Sequence, residues 1–280
     1  MPGTLFLCAT PIGNLQDMTP RVTETLRTVD VIAAEDTRNS IRLLNHFDIH
    51  TPMTSYHEYN KVEKARQLVG QLLTGQNIAL ITDAGTPAIS DPGEVLVKMC
   101  YESGIPVTSL PGPAACITAL TLSGLSTRRF CFEGFLPAEK KERKAVLEEL
   151  ANESRTMIVY EAPHHLVKTL EELYAVLGDR RITLCRELTK KFETVMPTTF
   201  EKALEFYRTE EPRGEYVLVL EGKSPEEKRR EEMAAWADMS VEEHMAYYES
   251  QGMDNKSAMK QVARDRGLGK RDIYAMLHKN

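Results

Sequence analysis

The sequence predicts an α/β protein: two α/β domains, the first with a parallel-type sheet and the second with a mixed sheet, followed by a small C-terminal helical module. Three observations predict it. Apolar, β-rich runs alternate with helical patterns through the first block, the mark of a covered and mostly parallel sheet. The second block holds more strand for its length and fewer long crossovers, which suits a mixed sheet. After Gly222 the apolar pattern stops, and a charged run leads to a short helix–turn–helix pair. The domains this implies are 1–111, 112–223, a charged linker or exposed helix at 224–239, and a module at 240–280.

TLFLCAT reads as the first strand. PRVTETLRTV follows as a helix with Thr19 as N-cap and Pro20 at its first position. VIAAED is a strand and SIRLLNHF a helix. Asn60 caps KVEKARQLVGQLL, which ends at Gly75. NIALITD, EVLVKMCYESG and PVTSLPG read as strand, helix and strand, and PAACITALTLSG opens the second block as a helix. There RFCFEGF, RTMIVYEA, RRITLCREL and EYVLVLEG read as strands, and KAVLEELANE, HLVKTLEELYAVLG and FEKALEFYR as helices. ETVMPTTF reads as a short strand interrupted at Pro197. In the terminal segment, Ala258, Val262, Leu268, Ile273 and Leu277 space a helix–turn–helix pair around Gly267 and Gly269.

Composition is that of a globular protein, with 42% hydrophobic and 27% charged residues and a net charge of −6. No global basic field announces nucleic acid or membrane, although a local basic patch remains compatible with this balance. The start MPGTLFLCAT lacks a basic n-region, and no apolar run is long enough to span a bilayer. Cys8, Cys100, Cys116, Cys131 and Cys185 form no CxxC pair and have no histidine in ligand spacing, so they read as buried thiols in a reducing cytoplasm.

Three Pro/Gly loops each follow a strand of the first block: TPIGN (10–14), DAGTPAISDPG (83–93) and LPGPAA (110–115). In an open parallel sheet the C-terminal strand ends share one edge, where ligands bind, so the three loops are expected to converge. They do not read as a phosphate cradle. Walker and G-x-G-x-x-G patterns are absent, Pro11, Pro87, Pro92, Pro111 and Pro113 remove amide donors, and no lysine or arginine lies in any of the three. Asp83 and Asp91 add negative potential, and Gly85 supplies a tight turn in the expected ligand wall. A zwitterionic or cationic ligand suits such loops better than a polyanion. S-adenosylmethionine, with a sulfonium, an ammonium, one carboxylate and a flat adenine, fits that description; no metal is called for.

TPIGNLQDMTPR, AAEDTR, DAGTPAISDPG, LPGPAA, FEGFLP, YEAPHHL, RELTKKFE and RGEYVLVLEG, in this order and at these distances, resemble the tetrapyrrole methylase superfamily. Within it the chain is similar to the branch of bacterial enzymes that 2′-O-methylate a cytidine of small-subunit (16S) ribosomal RNA at the decoding centre. The resemblance spans about residues 3 to 222, and the basic terminal module matches that branch too. It implies S-adenosylmethionine held in a cleft between two α/β domains, the small ribosomal subunit as partner, and a homodimer. Carried over residue by residue, it implies cofactor contacts at Ile12 and Gly13, at Thr86 and Ile89, at Ala114 and Ala115, and at Tyr160, Leu188 and Tyr216. One departure is His165, where the family pattern has arginine.

Methyl transfer to a ribose hydroxyl needs alignment and is helped by a general base or a polarising cation. Charged groups at apolar strand ends are the candidates: Glu133 in FCFEGF, Glu161 ending MIVYE, and Arg38 after AAED. Each has a plainer reading, in which Glu133 and Glu161 pair with Arg38 or Arg186. Asp36 reads equally as the N-cap of the following helix. Glu187 and Lys190 flank LT. His57 in SYHEYN is a base by type but more ordinarily a satisfied surface residue. Lys140, Lys141, Arg143 and Lys144 read as a solvated helix face or as phosphate contacts. Lys256, Lys260, Arg264, Arg266, Lys270, Arg271 and Lys279 outnumber Asp265 and Asp272 in the terminal module, which points to an RNA footprint. Two other functions stay open at this level: methylation of a small tetrapyrrole, and a non-catalytic ribosome-assembly or RNA-binding module.

Overall fold

A computed structural model describes residues 1–278 except residue 237. The chain divides into two compact units, one made of residues 1–150 and 155–221 and the other of 151–154 and 222–280. The first unit contains two five-stranded sheets.

The first sheet is built from β1 (Leu5–Cys8), β2 (Val31–Ala34), β3 (Met53–Ser55), β4 (Ile78–Ile81) and β5 (Val107–Leu110), joined through α1 (Pro20–Thr28), α2 (Thr37–His46), α3 (Lys61–Leu73) and α4 (Gly93–Glu102). Its order is β3-β2-β4-β1-β5, and every pairing is parallel. Helices cover both faces, so the central strands are buried on both sides; β4, IALI, is buried at every position. Leu5, Leu68, Leu72, Leu80 and Leu96 pack on one face, and Val22, Leu26, Ile32, Leu44 and Ile81 on the other. The three-residue strand β3 was not expected from sequence, because MTS is too short and too polar to show alternation. Thr19 caps α1 by accepting from the Val22 amide. Asn60 occupies the N-cap position of α3 but does not cap it; its Oδ1 instead accepts from the His57 amide and closes the preceding turn.

After α5 (Ala115–Leu122), the second sheet takes β6 (Phe130–Phe135), β7 (Thr156–Glu161), β8 (Arg181–Arg186), β9 (Thr194–Thr199) and β10 (Tyr216–Leu220), with α6 (Lys140–Ala151), α7 (Leu166–Leu177) and α8 (Phe200–Phe206) between them. The order is β6-β7-β10-β8-β9, with β6 parallel to β7 and the other pairings antiparallel, so the sheet is mixed. The strand expected to break at Pro197 does not break. β9 runs through it because it is an edge strand, where a missing N–H costs the ladder nothing. One face packs on α6, α7 and α8 through Leu147, Leu170, Leu173 and Phe200, and the other packs on α5 through Cys116, Ala119, Ile158, Cys185 and Val219.

The second unit is helical: α9 (Pro225–Ala235), α10 (Val241–Ser250), α11 (Asn255–Asp265) and α12 (Lys270–Leu277). The charged stretch after Gly222 is helical because Ser224 and Glu227 form a reciprocal capping box, and Ser240 and Glu243 repeat the device at α10. Val241, Met245, Ala258, Met259, Val262 and Ile273 make a small core. Leu268, expected in the apolar stripe, lies exposed in the turn between α11 and α12.

Candidate functional site

The strand order decides where the three loops go. β4, β1 and β5 are neighbours, so the loops that leave their C-terminal ends emerge side by side. Hydrogen bonds then lock them together. Thr10 and Gly85 exchange reciprocal backbone bonds of 2.9 and 3.0 Å. The Thr86 hydroxyl donates to the Pro113 carbonyl at 2.8 Å. Within the second loop the Asp91 carboxylate accepts from the amides of Ala88, Ile89 and Gly93 at 3.0, 3.2 and 2.8 Å. Those bonds hold Ala88 and Ser90 in the left-handed region, at φ 66° and 63°, which non-glycine residues seldom adopt.

Above these loops lies a cavity of about 570 Å³, within the range of small-molecule sites. Its lining combines Ile12, Glu35, Thr82 and the 83–86 and 89–91 segments with Ala114, Ala115, Phe135, Tyr160–Pro163, Cys185, Glu187, Leu188, Lys190 and Glu215–Val217. The ends of β7, β8 and β10 thus close the cavity that the first sheet opens. Of the residues expected at the cofactor, Ile12, Asp83, Gly85, Thr86, Ile89, Ala114, Ala115, Tyr160, Leu188 and Tyr216 all line it. Gly13 does not line it. It lies where the first loop meets the 187–190 loop so closely that a Cβ would come within 2.4 Å of Lys190 Cγ and 3.0 Å of the Leu188 carbonyl oxygen.

The catalytic candidates part company. Glu161 faces the cavity and is only 6% exposed; its Oε1 accepts from the Ala162 amide at 2.8 Å and its Oε2 from the Thr169 hydroxyl at 2.5 Å. It makes no ion pair with Arg186 or Arg38, contrary to its plainer reading. Arg38 does not line the cavity. Its side chain is 88% exposed and turns back on Asp36, the α2 N-cap, whose carboxyl that guanidinium holds down at about 2. Glu133 does not line it either, since it sits in the bulge where the β6–β7 register shifts between Phe132 and Gly134. His57 and the lysines of α6 lie outside the lining as well.

Other groups in the lining were weaker sequence signals. Glu35 accepts from the Thr82 hydroxyl at 2.6 Å. Lys190, the one cation in the lining among the described residues, is engaged by Glu187 at 2.9 Å and Glu215 at 2.8 Å. Burial works against both charges of the first pair. Yet bonds from the Glu215 amide and Lys190 hold Glu187 below the usual carboxylate range, and the two carboxylates hold Lys190 above the usual amine value. Glu187 and Lys190 were visible as an i,i+3 pair in RELTKK; Glu215 comes from a distant segment that no local spacing connects to them. Tyr160 stands between Phe132 and Phe135, and its hydroxyl oxygen accepts from the Cys116 amide at 3.1 Å, in the first turn of α5. Burial raises its phenol well above the ordinary range. Asp83 takes the amide of Asp36 and the Asn39 side chain, so the loops after β2 and β4 are tied together at the rim.

Residues 4–204 match the family of Tetrapyrrole (Corrin/Porphyrin) Methylases. The chain belongs to that family. It is also 48% identical over 276 residues to a protein of Halalkalibacterium halodurans named Ribosomal RNA small subunit methyltransferase I, covering 99% of this chain and 95% of that one. A Haemophilus influenzae protein of the same name is 51% identical over 246 residues, 86% of each chain. Among solved structures, a diphthine synthase superposes with a TM-score of 0.61 at 13% identity over 79% of this chain and 91% of its own, a likeness of fold.

The geometry of the second loop generates a test. Gly85 has φ +85°, and a Cβ there would press on Ile12 Cγ2 at 3.3 Å. Gly85→Val is expected to leave the chain folded but to abolish the S-adenosylmethionine binding expected of the unsubstituted protein in calorimetry, one equivalent per chain with or without chelator. Normal binding by a folded Gly85→Val removes this loop from the ligand wall, and tight uptake of ATP by the unsubstituted protein removes S-adenosylmethionine as the ligand.

Proposed function

We propose that this chain is an S-adenosylmethionine-dependent methyltransferase acting on the ribose 2′-hydroxyl of a cytidine in small-subunit ribosomal RNA, at the decoding centre. The observation that carries this reading is the charge of the cavity. Glu35, Asp83, Asp91 and Glu161 line it, and its lysine is held by two further carboxylates. Such a lining suits a sulfonium and an ammonium and repels a polyphosphate. The names of full-length relatives at this level of identity support ribosomal RNA as the acceptor.

S-adenosylmethionine, when bound, supplies an electrophilic methyl group. Ile12, Thr86, Ile89, Ala114, Ala115, Leu188 and Tyr216 would hold it, through backbone groups and apolar surface, with Asp83 and Gly85 in the same wall. The chain's own work is alignment and proton removal. As the acceptor oxygen gains the methyl group it must lose its proton, and Glu161 is the carboxylate we assign to accept it. Each of its oxygens carries one hydrogen bond, which leaves lone pairs for the substrate hydroxyl. The halves 1–111 and 112–223 serve as the two walls of the cleft. No described helix is long and apolar enough to cross a membrane, and we place the enzyme in the cytoplasm. A homodimer accords with the exposed Ile117 and Leu122 of α5, and a single-chain mass in light scattering would remove that part of the reading.

Incubating the protein with methyl-labelled S-adenosylmethionine and either small ribosomal subunits, naked ribosomal RNA or a tetrapyrrole precursor tests the acceptor. Label is expected in a cytidine ribose of the subunit; label in the tetrapyrrole, or in none, sinks the assignment. Single-turnover rates separate the catalytic candidates. Glu161→Gln is expected to slow transfer on the order of 100-fold while cofactor affinity holds, the pattern of an interaction made in the transition state. Glu133→Gln and Arg38→Ala, set back from the cavity, are expected to have smaller effects. Full rates in all three would mean catalysis by alignment alone.

The terminal module is proposed as an RNA footprint. Lys256, Lys260 and Arg264 fall on one exposed face of α11, and Lys270 and Arg271 on the exposed start of α12. Arg266 leaves that set, because it turns inward to His244 at 3.2 Å and the Ser240 carbonyl at 2.9 Å. Lys279 lies outside the described residues. Deleting 240–280 is expected to spare cofactor binding, since the cavity lining ends at Val217. It is expected to weaken subunit binding and flatten its salt dependence, because fewer counterions are released. An unchanged salt slope in the folded truncation would assign the module to structure.

A further inference from the structure

The basic start of α6 does not act as a uniform phosphate-facing surface. Lys140, Lys141 and Lys144 are exposed, but Arg143 is turned into the protein, with its side chain 15% exposed. Its Nε donates to Glu172 Oε2 at 2.6 Å, its Nη2 to Thr169 Oγ1 at 2.7 Å and its Nη1 to the Pro137 carbonyl at 3.4 Å. Thr169 is fully buried, and its hydroxyl donates at 2.5 Å to Glu161 Oε2, in the cavity wall. A continuous chain therefore runs from Glu172 through Arg143 and Thr169 to the carboxylate at the site.

Two features separate this chain from a simple brace between α6 and α7. The Nε and Nη2 donors lie on one edge of the guanidinium and match both oxygens of a carboxylate. Here Nη2 forgoes the second Glu172 oxygen and goes to Thr169 instead. The proton direction is also fixed. A guanidinium can only donate, so Thr169 accepts from it, and the hydroxyl hydrogen is left for Glu161, which receives it as a carboxylate. The Ala162 amide fixes the other oxygen from the backbone. Both oxygens of Glu161 are thereby oriented by donors while their remaining lone pairs stay available.

We infer that Arg143 and Thr169 are positioning residues that hold the Glu161 carboxylate in its acting orientation for methyl transfer. This rests on the role assigned to Glu161 above, and the test separates the two. Single-turnover transfer from labelled S-adenosylmethionine to small ribosomal subunits is measured alongside cofactor affinity and thermal stability. Thr169→Val, close in shape but unable to donate, is expected to slow transfer on the order of tenfold, the scale of one charge-assisted hydrogen bond, with cofactor affinity unchanged. Thr169→Ser is expected to restore the rate. Arg143→Lys, whose single ammonium cannot replace the guanidinium edge, is expected to resemble Thr169→Val, and it carries the test if that variant does not fold. In a Glu161→Gln background neither change is expected to slow transfer further, because the group they serve is gone. If Glu161→Gln transfers at full rate, the assignment of Glu161 fails and this inference fails with it. If Glu161→Gln is slow but Thr169→Val and Arg143→Lys are not, the positioning role alone is overturned. A slow Thr169→Val that serine does not rescue, or whose cofactor affinity falls in step with its rate, makes the chain a structural brace and overturns it equally.

Discussion

Three amides gathered on the Asp91 carboxylate hold the second loop in a shape it would not otherwise keep. Ala88 and Ser90 are both left-handed, a conformation costing about 1–2 kcal/mol per non-glycine residue, and the charge-assisted bonds from Ala88, Ile89 and Gly93 offset that cost. Pro87 and Pro92 remove further freedom from the same segment, and the buried Tyr56 hydroxyl ties the Pro92 carbonyl to the core at 2.8 Å. The other two loops of the first sheet lean on this one. The first loop reaches it through the Thr10–Gly85 exchange, and the third through Thr86 and Pro113. A wall assembled in this way is ordered before any ligand arrives, so little conformational entropy is lost on binding.

The same construction decides the electrostatics. Prolines that stiffen the loops also delete amide donors, and the amides near Asp91 are already used. Carbonyl oxygen, apolar surface and carboxylate therefore make up much of what the wall offers a ligand. Lys190 does not reverse the balance, because Glu187 and Glu215 together carry twice its charge. Stiffness and negative potential thus come from one set of residues, and a phosphate-binding loop, which needs glycine and free amides, could not be obtained from it by exchanging a few side chains.

Much of this was legible in the sequence, and the part that was not has a common cause. The apolar β4 and α7, and the helix start at Thr19, announce themselves within a few residues, and Asp36 takes the N-cap role that was one of its two readings. The convergence of three loops was legible because parallel topology forces strand ends to one edge. β3 was hidden by its brevity. The continuity of β9 through Pro197 depends on which strand lies at the sheet's edge, and Asn60 at the head of α3 spends its side chain on His57 rather than on the helix. At the site, Tyr160 and Leu188 came through motif resemblance. Arg38 and Glu133 were drawn in by the rule that charge at a strand end faces a cleft. That rule failed where Asp36, two residues away, offered Arg38 a nearer partner, and where the β6 bulge carries Glu133 out of the lining. Glu215 and Thr169 were invisible because their roles are set by partners far off in the chain.

Arg143 shows the same limit from the opposite side. In the run KKERK it is indistinguishable from its neighbours, and the run reads as one basic surface. Packing breaks that equivalence. Glu172 is one helical turn beyond Thr169 on α7, so a guanidinium entering from α6 finds a carboxylate and a hydroxyl on one face. Lysine at that position would offer a single charged centre and no planar edge with which to meet both. The residue type, and not the charge alone, is what the geometry selects. The lysines around it, exposed and free of that geometry, keep only their charge, which is all that contact with a phosphate backbone requires.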